Sequence, residues 1–187
     1  MATVIIRPTS IATSAGFGHS TNTAAHSFDN DNATYAQQIS STAYMKYVLA
    51  DLDAGLSGAT INSYKISAYA KGGRAGAFSA DLHLIDSSGQ NVASPETETW
   101  SGSLSTEQTT PDTTQYDGSA LTYAYINGCL LYFDPNTQGA YLYEIYVTVS
   151  YTAAPSGYGN IVNGVAAASI GEVDGVATAN IEKVIGV

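Results

Sequence analysis

The residue types that most directly suggest a metal site stand in one run of four oxygen-bearing side chains. They are Asp29, Asn30, Asp31 and Asn32. Ca²⁺ takes roughly six to eight oxygen ligands and often draws them from one loop. The run lacks the internal glycine and the distal glutamate of an EF-hand loop, and Asp and Asn favour turns without any metal. We therefore expect a polar turn, with a structural calcium site as the alternative, and no other cofactor.

One tryptophan and three tyrosines in the second half of the chain are candidates for a platform that stacks on sugar rings. They are Trp100, Tyr116, Tyr123 and Tyr125. Aromatic faces suit pyranose rings, but the same large side chains also fill cores and subunit contacts. We expect the core or contact role for them, with glycan binding as the alternative.

Two carboxylates near the tryptophan, Glu96 and Glu98, would share one face if their segment were a strand. Glycosidases use two carboxyl groups at a defined separation. The surrounding run 94–99 has the composition of a polar loop. The sequence contains neither a Gly-x-Ser-x-Gly elbow nor histidines at zinc-ligand spacing. We therefore expect no catalytic residue and no enzymatic activity.

Alternation of apolar and polar residues with a period of two predicts strands through most of the chain. In the run 141–151 every odd position is aromatic or β-branched, which predicts a long strand with the odd positions buried. Asn127-Gly128 stands between two apolar runs and predicts a β-hairpin. The polar stretches 9–33 and 94–118 predict loops. Many short strands at this spacing indicate an all-β fold, a jelly-roll-like β-sandwich over residues 1–152.

Composition excludes several classes of partner. The 187 residues carry a net charge of −10 and six Lys and Arg. We therefore expect neither nucleic acid nor a membrane as a partner, because nucleic acid and anionic membranes attract basic residues. No apolar stretch approaches the roughly 20 residues of a membrane span, and the N-terminus shows no signal-peptide pattern. The single cysteine, Cys129, lies in an apolar run and is expected to be a buried core thiol.

The end of the chain repeats a short phrase with a step of 11 residues. Val-Asn-Gly-Val at 162–165 returns as Val-Asp-Gly-Val at 173–176 and as Val-Ile-Gly-Val at 184–187. Asn-Gly and Asp-Gly favour tight turns. The repeat therefore predicts strand–turn–strand units that form a repetitive β tail over 162–187, after a Pro/Gly/Ser-rich linker at 153–161.

This tail holds fewer than three repeats, and about three or more are needed for repeats to bury their own apolar face. We expect the tails of identical copies, most simply three in a trimer, to bury that face against one another. The alternatives are docking onto another protein and a flexible tail. The residues expected at the contact are Val162, Val165, Ile170, Val173, Val176, Ile181 and Val184.

The repeat resembles a Val-Asn-Gly-Val-Ala motif found at the ends of tailed-phage structural proteins. Residues 1–152 are similar to a jelly-roll domain of phage virion proteins at four places, namely Arg-Pro-Thr at 7–9, the Asp/Asn-rich run ending in Thr-Tyr at 29–35, Gly-Ala-Thr-Ile at 58–61 and the strand ending at 147–151.

The resemblance implies a non-enzymatic virion structural protein, a capsid decoration, head-fibre or tail-fibre subunit. Such a protein is made in the host cytoplasm, is located on the virion and contacts other capsid or tail proteins. The alternative is a carbohydrate-binding receptor module of a tail fibre, which attaches to a host surface glycan.

Overall fold

The computed structural model describes residues 1–17, 24–29, 33–40, 42–73, 76–86, 95–115, 117–136, 139–154, 172–173 and 176–177. Contacts divide the chain into two units, Met1–Thr152 and Ala153–Val187. The first unit contains two five-stranded antiparallel sheets, which confirms the predicted all-β sandwich. In the part of the chain described, no helix is long and apolar enough to cross a membrane.

The strands in chain order are β1 (Ala2–Ile6), β2 (Pro8–Ala15), β3 (Ala36–Gln37), β4 (Tyr44–Leu49), β5 (Thr60–Gly72), β6 (Phe78–Asp86), β7 (Glu96–Trp100), β8 (Ser105–Gln108), β9 (Cys129–Pro135) and β10 (Ala140–Thr152). A short helix, α1 (Tyr123–Asn127), and two 3₁₀ turns, Ala24–Ser27 and Ala54–Leu56, lie between them. The first sheet has the order β1-β10-β5-β8, with β3 also paired to β10, and the second sheet has the order β2-β4-β9-β6-β7. Consecutive strands therefore change sheets repeatedly, as in a jelly roll.

The core lies between the inner faces of the two sheets. The longest strands, β5 and β10, pair side by side in the first sheet and bury small and branched residues such as Ala68 and Val147. The second sheet opposes them with larger side chains, including Tyr47, Phe133 and Trp100, which are 0% exposed. Cys129 belongs to the same core, as the sequence predicted.

A β-bulge interrupts β10 between Leu142 and Glu144, where the pairing with β5 shifts register. A bulge adds one residue to one strand, so the alternation of faces breaks there. Leu142 and Ile145 belong to the core, while Tyr143 and Glu144 both lie on the outer face of the first sheet. The prediction that the odd positions face the core is therefore confirmed for Ile145, Val147 and Val149, which follow the bulge. It is wrong for Tyr141 and Tyr143, which precede or form the bulge and face outward.

The predicted hairpin at Asn127-Gly128 is wrong, because the residues before it form α1. Thr122 caps this helix by accepting a hydrogen bond from Tyr125 N. Asn127 Oδ1 accepts from Leu52 N at 2.8 Å, and Gly128 has a φ of −86°. A type I′ hairpin turn requires positive φ at both central residues, so the Asn-Gly signal is used here for a helix end.

The polar stretches 9–33 and 94–118 are not wholly loops, because they contain β2, β7 and β8. All three lie at or near sheet edges, and β2 exposes most of its residues. Edge strands bury little on either face, so their sequences lack the apolar alternation by which central strands are recognised.

In the C-terminal unit, β11 (Glu172–Val173) and β12 (Val176–Ala177) form an antiparallel pair with Val173 opposite Val176. This is the strand arrangement that the second repeat predicts. The other residues predicted at the oligomer contact lie outside the described residues; they are Val162, Val165, Ile170, Ile181 and Val184.

Candidate functional site

The outer face of the first sheet carries side chains that the sequence reasoning did not single out. β5 and β10 lie next to each other in this sheet and present polar and aromatic residues outward. The outward residues of β5 include Lys65, Ser67, Tyr69 and Lys71. Those of β10 include Tyr141, Tyr143, Glu144, Tyr146 and Thr148.

Where β5 ends and β10 begins, four tyrosines and one lysine form a group that we call the tyrosine–lysine cluster. Its members are Tyr35, Tyr69, Tyr141, Tyr143 and Lys71. The centroid of the Tyr35 ring lies 4.9 Å from that of Tyr141 and 5.1 Å from that of Tyr143. The Tyr69 ring meets the Tyr143 ring edge-on at 5.8 Å. Tyr143 is 6% exposed, whereas the other three tyrosines are half-buried and keep part of their surface open.

Lys71 stands over the tyrosine rings. Its Nζ lies 5.7 Å from the centroid of the Tyr141 ring and 5.6 Å from that of Tyr143, within cation–π range. Hydrogen bonding to Tyr143 is the largest of the effects that raise the pKa of Lys71 above its usual value. The ammonium group is therefore charged at neutral pH and lies against the aromatic surface.

Tyr35 comes from outside the two long strands and is positioned by β3, which follows it directly. β3 pairs with Tyr141 and Leu142 of β10. Next to β3, Gln38 N donates to Ala140 O at 2.9 Å, and Ala140 N donates to Gln38 Oε1 at 3.0 Å. These bonds fasten the backbone beside Tyr35 to the beginning of β10, so its ring lies beside that of Tyr141.

An ion pair lies on the same face. Arg7, between β1 and β2, pairs with Glu144 through Nη1 and Oε2, and its guanidinium carbon is 5.2 Å from the centroid of the Tyr146 ring. The side chain of Glu144 is 6% exposed and that of Arg7 is 39% exposed. Glu144 Oε1 has no hydrogen-bond partner among the described residues. Arg7 is therefore the cation that compensates the buried Glu144 carboxylate.

The outer face of the second sheet carries a smaller group with similar residues. The rings of Tyr44 and Tyr132 stack at 5.6 Å, and Lys46 Nζ lies 5.8 Å and 5.5 Å from their centroids. Here carboxylates lie close to the rings: Tyr132 Oη is 3.4 Å from Asp134 Oδ2. Burial and the charge of Asp134 raise the pKa of Tyr132 to about 12. This face therefore has an acidic component that the tyrosine–lysine cluster lacks.

Trp100 does not contribute a stacking surface. It is 0% exposed, its ring stacks on Phe78 at 4.8 Å, and its Nε1 donates to Ala68 O at 3.3 Å. Both ring faces are covered, so Trp100 has the expected core role, and the alternative of glycan binding is wrong for this residue.

The other predicted platform residues do not join Trp100. Tyr123 and Tyr125 lie in α1, half-buried against the core, and Tyr123 Oη donates to Leu52 O at 2.9 Å. Trp100 pairs with the first residue of β6, whereas β9, which follows α1, begins opposite the last residue of β6. The tryptophan and the helix thus lie at opposite ends of the sandwich. Tyr116 lies outside the described residues.

Glu96 and Glu98 lie in β7 rather than in a loop, at alternate positions that share a face. Glu96 Oε2 accepts hydrogen bonds from Thr110 N at 2.7 Å and from Thr110 Oγ1 at 2.8 Å. Burial, and then the charges of Glu96 and Glu107, raise the pKa of Glu98. Glu96 therefore stabilises the segment after β8 through its hydrogen bonds with Thr110. Glu98 lies close enough to Glu96 and Glu107 to be repelled by their charges.

The predicted calcium site is described only in part. Asp29 is exposed, and its Oδ2 accepts from Thr34 Oγ1 at 2.7 Å. Asn30, Asp31 and Asn32 lie outside the described residues. Within the described ranges, no three His, Cys, Asp or Glu side chains are grouped as metal ligands. Calcium at this run stays a prediction.

The sequence carries one partial signal for this cluster, the closely spaced Tyr141 and Tyr143. The face on which these two tyrosines lie could not be predicted, because it depends on the bulge. The arrangement places half-buried aromatic rings, phenol hydroxyls and an ammonium group on the outer face of one sheet, which suits a ligand with both apolar faces and hydrogen-bonding groups.

No protein-family model and no curated protein matches the chain. Among solved structures, the chain is similar to truncated AlyQ with CBM32 and alginate lyase domains, with a TM-score of 0.52 and 12% identity over 85% of this chain and 36% of that one. It is also similar to the C-terminal CBM6 of LamC, a marine laminarinase from Zobellia galactanivorans, with a TM-score of 0.44 and 12% identity over 80% of this chain and 99% of that one.

A third similar structure is a carbohydrate-binding module (CBM6) of Cellvibrio mixtus lichenase 5A in complex with cellotriose, with a TM-score of 0.46 and 14% identity over 80% of this chain and 97% of that one. At these identities the likeness is one of fold, the β-sandwich described above.

Proposed function

We propose that residues 1–152 are a non-catalytic carbohydrate-binding module and that the tyrosine–lysine cluster is its binding surface. The observation that carries the proposal is the convergence of half-buried tyrosine rings and a charged lysine on the outer face of one sheet. The rings can stack on the apolar face of a sugar, while the phenol hydroxyls, Lys71 Nζ and neighbouring polar side chains bind its hydroxyl groups. The fold likeness to a structure that includes a CBM32 domain supports the same function.

The non-catalytic part of the proposal rests on the carboxylates of this face. Among the described strand residues of the first sheet, Glu144 is the carboxylate on the outer face, and Arg7 holds it in an ion pair. Glycoside hydrolysis of the usual kind needs two carboxyl groups on either side of the scissile bond, and this face offers one.

The test is affinity electrophoresis and calorimetry with a panel of soluble neutral and acidic polysaccharides. Tyr141→Ala removes a half-buried ring from the cluster and is expected to weaken binding about tenfold, since an aromatic contact is worth about 1 kcal/mol or somewhat more. Tyr132→Ala is the matched control, because it removes a half-buried tyrosine beside a lysine on the opposite face. Equal losses in the two variants, or no binding to any polysaccharide, would refute the proposal.

We also propose that the chain assembles through its C-terminal repeats, as a trimeric virion component. The antiparallel pair β11–β12 supports this second function, because it has the strand pairing that the repeat predicts and so short a β segment cannot bury an apolar face by itself. Linked copies would bind a repetitive surface by avidity. The two proposals are compatible, since the sandwich of a capsid or tail protein can bind host surface glycan.

Truncation tests the assembly proposal. Removal of residues 161–187 is expected to leave a folded sandwich with unchanged far-UV circular dichroism and to convert the oligomer to a monomer in light scattering. A multimer of unchanged mass after truncation counts against assembly by the tail. Localisation of labelled copies on intact phage particles tests the virion role directly.

A further inference from the structure

Among Arg7 and the described strand residues, the outer face of the first sheet carries more cations than carboxylates, whereas the whole chain is acidic. The chain carries 16 Asp and Glu against six Lys and Arg. Three of these cations, Arg7, Lys65 and Lys71, lie on this face, and Glu144 is the carboxylate that the described strand residues contribute to it. Glu107 of the edge strand β8 lies opposite the core residue Ala68 and so belongs to the inner side of the sheet.

Lys65 and Lys71 form no ion pair with a carboxylate among the described residues. Arg7 is paired with Glu144. Lys65 Nζ donates to the amide oxygen of Gln108 at 2.6 Å, and Lys71 lies over tyrosine rings. Among the described residues, neither lysine has a carboxylate within salt-bridge distance. Their charges are therefore available to a ligand.

The spacing of the two lysines indicates the size of that ligand. Lys65 and Lys71 are six residues apart in the same strand, which corresponds to about 20 Å along β5. The rings of Tyr69 and Tyr141 lie near the Lys71 end of this line. A single sugar cannot reach both ammonium groups, whereas an extended chain along the strand can.

The opposite face of the sandwich provides the contrast. Lys46 lies over Tyr44 and Tyr132 with similar distances, but Asp134 lies within 3.4 Å of the Tyr132 hydroxyl, and Asp81 is close enough to help raise the pKa of Asp134. An anion at that face would be repelled by these carboxylates. Among the described residues both faces therefore place a lysine over half-buried tyrosine rings, and they differ in the carboxylates that lie beside the rings of the second sheet.

We propose that the ligand of the first sheet is an acidic polysaccharide, a uronate chain whose carboxylates pair with Lys71 and Lys65 while its sugar rings lie on the tyrosine–lysine cluster. This inference rests on the proposed carbohydrate-binding function and adds the chemical class of the sugar. A neutral polysaccharide needs no cations, and a chain of net charge −10 would repel a polyanion everywhere except at a locally positive face.

The test compares three kinds of polymer at low and high salt by affinity electrophoresis and calorimetry. The carboxylated probes are polygalacturonate, alginate and hyaluronate; the sulfated probe is dextran sulfate; the neutral probe is dextran. We expect at least one uronate polymer to bind, and to lose about tenfold or more of its affinity between low salt and about 0.5 M NaCl, because salt screens exposed charge pairs. Dextran should bind more weakly than that polymer.

Three lysine variants locate the effect. Lys71→Gln is expected to weaken uronate binding about tenfold, Lys71→Arg to retain most of it because the cation remains, and Lys46→Gln to leave it unchanged. Lys46 is the matched control, since it has similar aromatic neighbours on the other face. Urea unfolding of each variant establishes that the fold is retained.

The outcomes separate this inference from the proposal on which it rests. Salt-independent binding of dextran that needs Tyr141 but not Lys71 overturns the acidic class and leaves carbohydrate binding standing. Binding of dextran sulfate without any uronate polymer overturns the assignment to carboxylates. A loss on Lys46→Gln in place of Lys71→Gln overturns the choice of face, and no binding to any polymer overturns both proposals.

Discussion

Replacing Arg7 by Met is expected to destabilise the sandwich by about 2 kcal/mol, although Arg7 lies close to the surface. Exposed ion pairs contribute up to about 1 kcal/mol, and removing one partner of a fully buried pair costs about 3–5 kcal/mol. The pair here lies between these cases, because the side chain of Glu144 is 6% exposed and that of Arg7 is 39% exposed. Arg7→Met leaves the Glu144 carboxylate buried without its cation.

The assay is a double-mutant cycle. Glu144→Leu alone leaves a cation that reaches water and is expected to cost about 1 kcal/mol or less. The double variant Arg7→Met/Glu144→Leu replaces the pair by apolar side chains and is expected to be more stable than Arg7→Met alone by about 1 kcal/mol. Trp100, the single tryptophan, is buried in the core and reports urea unfolding through its fluorescence. Lys65→Met, which removes an exposed cation of the same face, is the control and should change stability by less than about 0.5 kcal/mol.

Two results would refute this reasoning. If Arg7→Met costs no more than Lys65→Met, the pair behaves as an exposed one. If the double variant is as unstable as the sum of the single variants, the two side chains are not coupled and the burial of Glu144 has another explanation.

Three further predictions concern the core and the edge strands. Trp100→Ala should lower the free energy of unfolding in urea by about 3–5 kcal/mol. Trp100→Phe should keep both the fold and the glycan affinity. A selective loss of glycan binding in a stable Trp100→Phe protein would contradict the buried position. Cys129 should resist thiol reagents in the native protein, since burial and the charge of Asp86 raise its pKa to about 12, and should react fully in urea; stoichiometric labelling without denaturant would contradict this. The pKa of Glu98 is raised in the folded protein, so Glu98 binds a proton more readily in the native state than in the unfolded state. Its contribution to the free energy of unfolding therefore falls as the pH rises above the pKa that Glu98 has in the unfolded chain. Glu98→Gln should therefore stabilise the protein by about 0.5 kcal/mol at neutral pH, with the gain lost once the carboxyl is protonated in both states; an equal gain in strong acid would show that the charge is not the cause.

The sandwich was predictable from local patterns where a strand is central and half-buried. The stretch from Ile145 to Val149 alternates without interruption, and its odd positions lie in the core as predicted. Cys129 was predictable in the same way, from the apolar residues around it. Edge strands such as β2 were missed, because they bury too little to show a period.

The candidate site was not predictable, because it depends on contacts between distant parts of the sequence. Tyr35 reaches the cluster through the pairing of β3 with β10, in which Gln38 and Ala140 are 102 residues apart. Tyr143 faces outward because of a bulge that no local signal marks. Trp100, chosen for its residue type, proved to be a core residue, since aromatic type alone does not indicate exposure.

The bulge in β10 also shapes how this protein can diversify. Tyr143 and Glu144 both face outward between the core residues Leu142 and Ile145, so deletion of either one would restore strict alternation without moving a core residue to the other face. The deletion would remove one side chain from the outer face, either the Tyr143 ring or the carboxylate that pairs with Arg7. Homologues that lack the bulge should therefore keep the core residues of this strand and differ in what the outer face can recognise.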